Sequence, residues 1–104
     1  PSGVSLDVDR STWSPLPVFR TLANWGGYQL TELEGTWNLG LGFAVVVKGA
    51  DAPAIASALN GSGIRTWQLG IIESTPCDAE LPGYVTSAKG VDGGAVRLVG
   101  KYAE

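Results

Sequence analysis

The sequence contains no histidine and one cysteine, Cys77. Without histidine, neither a Ser-His-Asp nor a Cys-His catalytic set can be assembled within the chain. Zinc sites draw on several His and Cys ligands, so none is expected. A lone cysteine excludes an internal disulfide framework and fits a reducing, cytoplasmic setting. Charge is sparse as well, at 16% of 104 residues, with a net charge of −3. The seven basic residues are scattered singly. That excludes the basic footprint of a nucleic-acid binder and a patch for anionic membrane. No apolar run approaches the roughly 18–20 residues needed to cross a bilayer. No basic segment followed by an apolar stretch marks a signal peptide. The first residue is Pro1, so either a processed start or a piece of a longer chain is expected.

Apolar material is plentiful, at 44% of residues, and suits the core of one domain. Fifteen glycines favour short elements and tight turns. Val4, Leu6 and Val8 alternate with Ser5, Asp7 and Asp9, which predicts a half-buried strand. Ser14 and Pro15 suit a helix start, and Val18, Phe19, Leu22 and Trp25 follow at helical spacing. A helix over 15–25, stopped by Gly26-Gly27, is the expectation. Thr31 and Glu34 have the spacing of a capping box, with a short helical turn over about 32–37. Residues 41–47 are apolar on both faces and predict a central, covered strand. Asp51 and Pro53 open a second helix, ended by Gly61 and Gly63. Strands are expected over 64–73, 84–87 and 95–102, with loops over 74–83 and 90–94. The helix between 41–47 and 64–73 permits a parallel pair. The class expected from these elements is α/β or α+β.

Asn38-x-Gly40-x-Gly42 carries the most chemistry. Glycines leave backbone N–H groups accessible, and such groups can cradle an anion. The same spacing also serves a turn that needs positive φ or close packing. It is neither a P-loop, lacking Gly-Lys-Ser/Thr, nor a dinucleotide fingerprint, since it precedes a strand instead of following one. Asp7 and Asp9 are either a solvated strand face or partial ligands for a divalent cation. Glu32 and Glu34 do not share a helix face and suit capping better than acid–base work. Asp78 and Glu80 near Cys77 raise the thiol's pKa and lower its reactivity. Trp13, Trp25, Trp37 and Trp67 suit packing, with stacking on a base or sugar as the other use. Arg20 and Arg65 are isolated phosphate candidates.

Several segments together resemble the C-terminal domain of the phosphoribosylformylglycinamidine cyclo-ligase (AIR synthetase) family, of the PurM-like superfamily. They are Ser11 to Phe19, Glu32 to Phe43 with its T-W-N-x-G-x-G core, and Asp51 to Leu59 followed by Gly63 to Ile72. The resemblance covers most of residues 4–73, and Val96 to Val99 fits the family's last strand. Trp37 and Phe43 stand where the family has Phe and Met, and Gly35 where a basic residue is common. The resemblance implies a layered sandwich on a mixed sheet of four or more strands. It implies a parent enzyme that uses ATP and Mg2+ to close the imidazole ring of formylglycinamidine ribonucleotide. The products are aminoimidazole ribonucleotide, ADP and phosphate. Residues 1–104 then form one C-terminal domain that lacks the ATP-binding N-terminal domain and is inactive alone. Its implied partners are that domain, a nucleotide substrate and, for the parent, a second copy, with no nucleic acid or membrane. Asn38, Gly40 and Gly42 are the residues expected to face substrate or phosphate; no catalytic residue and no metal ligand is assigned. Two alternatives stay open: another PurM-like ATP-dependent enzyme, and a non-catalytic binding module.

Overall fold

The computed structural model describes residues 3–74, 84–86 and 95–104. It is a mixed α/β fold that divides into two compact units, residues 1–12 with 67–103 and residues 13–66. The first unit is built on strands β1 (Ser5–Asp9), β2 (Gly70–Glu73), β3 (Tyr84–Thr86) and β4 (Ala95–Val99). Their order is β2-β1-β4-β3. β1 runs parallel to β4, with Asp7 opposite Arg97. It runs antiparallel to β2, with Val8 opposite Gly70. β3 is antiparallel to β4. The alternation read at residues 4–9 thus corresponds to a strand with a neighbour on both sides. Val8 and Ala95 are buried, and so is Ser5.

Past β1 the chain tightens into a single 3-10 turn, Arg10–Thr12. The Asp9 carboxylate accepts from the Ser11 N–H at 2.8 Å and the Thr12 hydroxyl donates to the Asp9 carbonyl at 2.8 Å. These local bonds give the backbone an alternative to the ladder and end the strand. The Arg10 guanidinium reaches back to the Leu98 carbonyl at 2.8 Å and lies over the Tyr102 ring at 5.9 Å. The Trp67 indole N–H donates to the Thr12 hydroxyl at 3.2 Å.

The second unit holds helices α1 (Pro17–Gly26) and α2 (Ala52–Gly61). α1 starts two residues later than the sequence predicts. Leu16 occupies the cap position and makes no side-chain cap bond, and Pro17 sits in the first turn. Both Pro15 and Pro17 can open a helix, and the second sets the boundary because Pro17 itself disfavours a helical Leu16. Gly27, at φ 75°, closes the helix in the left-handed conformation as expected. The capping box is likewise displaced. It joins Gln29 and Glu32 instead of Thr31 and Glu34, with the Glu32 carboxylate accepting from the Gln29 N–H at 2.6 Å. The turn it opens is a 3-10 helix over Leu30–Leu33. Asp51 caps α2 by position but makes no side-chain cap bond.

Two expected strands are corrected. Residues 41–48 have no ladder partner among the described residues and form no helix, and Phe43 and Val46 are 90% and 78% exposed. Only Gly70–Glu73 of the 64–73 run is strand. An apolar run becomes a strand only where neighbours complete its hydrogen bonds. Among the described residues β2 pairs with β1 alone, antiparallel, and the parallel pair permitted for 41–47 and 64–73 is not among the ladders. The short strand expected after 83 is present as β3, and the last strand ends at Val99, before Gly100 at φ 71°. Cys77 and most of the 74–93 loop lie outside the described residues.

Candidate functional site

The Asn38–Gly42 segment is a turn fixed from the second unit's interior. Leu33 starts it by accepting from the Thr36 and Trp37 N–H groups at 2.9 and 2.8 Å. Trp37 packs its ring against Phe19 of α1, centroids 5.7 Å apart. The Asn38 side-chain oxygen then accepts from the Gly40 N–H at 3.1 Å, and its carbonyl accepts from the Leu41 N–H at 3.0 Å. This is the local side-chain-to-backbone bonding that asparagine favours in turns. Leu39 and Gly40 both have positive φ, 51° and 99°. For leucine that conformation is strained, and something must hold it there. Leu39 is 2% exposed, and its carbonyl accepts from the buried Trp13 indole N–H at 3.1 Å.

The consequence is an alternating turn. Leu39 points inward and Leu41 is half-buried, while Asn38, Gly40 and Gly42 are exposed. All three predicted site residues therefore share solvent access. Gly40 needs to be glycine for its φ alone, which is the structural reading of the motif. Gly42 differs. Its φ is not positive and a Cβ there meets nothing within 4 Å. Among the described residues its N–H has no acceptor.

The other candidates disperse. Asp7 forms a two-point ion pair with Arg97, Nη2 to Oδ2 at 2.6 Å and Nε to Oδ1 at 3.1 Å. The Ser11 hydroxyl and then its N–H hold the Asp9 carboxyl below its ordinary range. A shallow groove beside β2 is lined by Asp7, Asp9, Gln68, Gly70, Glu73 and Val99. Its three carboxylates disfavour a phosphate. No three His, Cys, Asp or Glu side chains among the described residues converge on a metal position. Arg20 and Arg65 each already have a partner. Trp13 is a buried packing residue, whereas Trp25 is 81% exposed and is not packed in this unit's core. Sequence reasoning did not assign Trp13 to the Asn38–Gly42 turn, because the bond spans 26 residues and no local pattern marks it.

Over 73 residues the chain is 33% identical to the phosphoribosylformylglycinamidine cyclo-ligase of Burkholderia cenocepacia. The chain is homologous to phosphoribosylformylglycinamidine cyclo-ligases. A Streptomyces fradiae protein provisionally given the same name is 40% identical over 72 residues. The cyclo-ligase of Xanthomonas oryzae pv. oryzae is 36% identical over 70. These matches take in 70%, 69% and 67% of this chain but 21%, 40% and 20% of the respective relatives. The chain thus spans less than half the length of the cyclo-ligases it matches. A 72-residue stretch of a 104-residue chain includes residues 33–72 wherever it begins, so Asn38–Gly42 lies inside the cyclo-ligase match. No family model matches the chain, and no solved structure does. No helix among the described residues is long and apolar enough to cross a membrane.

Proposed function

We propose that residues 1–104 are the C-terminal domain of an AIR synthetase, in a layered sandwich of the PurM-like kind, and that the Asn38–Gly42 turn faces its nucleotide substrate. The observation that carries this reading is the 40% identity over 72 residues, a stretch that takes in the turn. Gly42 adds a physical argument. Its φ is not positive and no neighbour lies within 4 Å of a Cβ there, which leaves room for a group to approach closely from outside. A free backbone N–H beside an open glycine suits an anionic oxygen of a phosphate or an amide carbonyl.

The parent enzyme then activates the formyl amide oxygen of formylglycinamidine ribonucleotide by phosphoryl transfer from ATP. The neighbouring nitrogen attacks, the ring closes, and aminoimidazole ribonucleotide, ADP and phosphate leave. Such a transfer rests on charge clamping by a metal and by cationic or N–H donors. This chain contributes N–H donors and a shaped turn. The ATP and magnesium ligands are assigned to the N-terminal domain of the same cytoplasmic, homodimeric parent.

The test is turnover by the full-length protein that contains this chain. With ATP and formylglycinamidine ribonucleotide it should form the aminoimidazole product, an aromatic amine detected by diazo coupling, with matching ADP. The isolated 104 residues should form none. An inactive full-length protein overturns the cyclo-ligase reading, and turnover by the isolated chain overturns its status as an incomplete part.

A further inference from the structure

We infer that Trp13 is a positioning residue for the Asn38–Gly42 face. This rests on the reading that the face meets the nucleotide substrate. Trp13 lies 26 residues from Leu39 in sequence, is 4% exposed, and places its indole N–H 3.1 Å from the Leu39 carbonyl.

That carbonyl belongs to the peptide joining two consecutive positive-φ residues, Leu39 and Gly40. A left-handed leucine relaxes toward negative φ unless its peptide plane is held. Three contacts hold it: the buried Leu39 side chain, the Asn38 side chain on the Gly40 N–H, and the Trp13 indole on the Leu39 carbonyl. The last reaches the turn from a distant part of the sequence. It fixes the direction of the Leu39–Gly40 peptide, and through it which way Gly40 and Gly42 present their backbone. A flipped peptide would leave the indole N–H buried without this acceptor, which a buried donor resists. The indole is thus a lock on an exposed turn. Its removal loosens the turn without changing any group that meets the ligand.

The experiment uses the full-length protein and Trp13→Phe, which keeps an aromatic ring but deletes the N–H. Trp25→Phe is the control, since Trp25 is 81% exposed. Two readouts are compared: amide hydrogen exchange at residues 40–42, and the steady-state constants for the nucleotide substrate. W13F should speed exchange at those amides and raise KM about three- to tenfold, the change expected for one lost hydrogen bond. Its kcat should stay within about twofold, because the reacting groups are untouched. W25F should change neither. A purely structural role would lower the folded fraction and kcat together and leave KM alone, which overturns the proposal. So does unchanged exchange at residues 40–42 in W13F.

Gly42→Val separates this inference from the reading beneath it. The added side chain occupies the exposed face itself. If G42V raises KM and W13F does not, the positioning role of Trp13 fails while the substrate-facing turn stands. If neither raises KM, the substrate-facing turn fails and the inference fails with it.

Discussion

Gly70→Ala should destabilise the protein far more than a glycine-to-alanine change ordinarily does. Gly70 opens β2 opposite Val8, and the Asp9 N–H bonds to the Leu69 carbonyl at 3.0 Å beside it. A Cβ at Gly70 would fall within the contact radius of the Asp7 carbonyl oxygen. It would also lie 3.1 Å from that carbonyl carbon and 3.3 Å from Leu6 Cδ1. The obstructing atoms are mostly backbone, and they belong to β1, which β2 and β4 hold from both sides. Neither strand can retreat without breaking its ladder. Overpacking of this kind costs about 1–3 kcal/mol, and an immovable backbone obstacle puts G70A near the top, at about 2–3 kcal/mol. The assay is urea unfolding followed by tryptophan fluorescence. With a slope of about 1–3 kcal/mol/M, the midpoint should fall by about 0.7–3 M with the slope unchanged. Gly61→Ala is the counterpart. Gly61 ends α2, has no positive φ, and a Cβ there meets nothing within 4 Å. Alanine should stabilise that position by up to about 1 kcal/mol. A G70A midpoint within error of the parent protein, or both variants shifting the same way, would refute the close-approach argument.

Gly40→Ala should cost about 1–2 kcal/mol from backbone strain alone, since φ is 99° and the nearest atom to a new Cβ is Leu16 Cγ at an ordinary 3.9 Å. Its midpoint shift should persist in a Leu16→Ala background, and disappearance of the shift would point to a steric cause. A double-mutant cycle over Asp7→Asn and Arg97→Gln should give a coupling of about 0.5–1 kcal/mol, because both side chains are 32–42% exposed to screening solvent. A coupling above about 3 kcal/mol, the range of buried pairs, would contradict that exposure. Asp9 should titrate below the ordinary aspartate range by NMR, held there by Ser11. A lowered folded value means its contribution is complete above the unfolded value and is lost as pH falls through the folded one. Ser11→Ala should raise the titration midpoint, and no movement would remove the proposed cause.

What could be read from the sequence depended on whether the determining partners were local. The period-two pattern of residues 4–9 and the Gly27 stop needed only near neighbours, and both are present. The start of α1 and the capping box were displaced by two residues, because Pro15 and Pro17, and Gln29 and Thr31, offer competing local solutions. Residues 41–47 depart from the strand expectation because a both-faces-apolar run records a liking for burial, whereas a ladder depends on strands that pattern cannot name. Asn38, Gly40 and Gly42 were visible as a set by their spacing, and their common exposure follows from Leu39 turning inward. The indole bond that steadies them joins positions 13 and 39, and a single sequence carries no sign of such a pair.

The uncovered 41–47 run has a consequence for handling the protein. Phe43-Ala44-Val45-Val46-Val47 is uncharged, free of proline and rich in β-branched side chains. Phe43, Val45 and Val46 are all more than half exposed, and no strand among the described residues pairs with them. Five- to seven-residue windows of about this composition stack into cross-β assemblies when their backbone is open to other molecules. Gly42 on one side and Lys48 on the other are the nearest interruptions, and only Lys48 brings charge. This window is therefore an aggregation-prone segment among the described residues, and Val46→Lys should lower its tendency to stack.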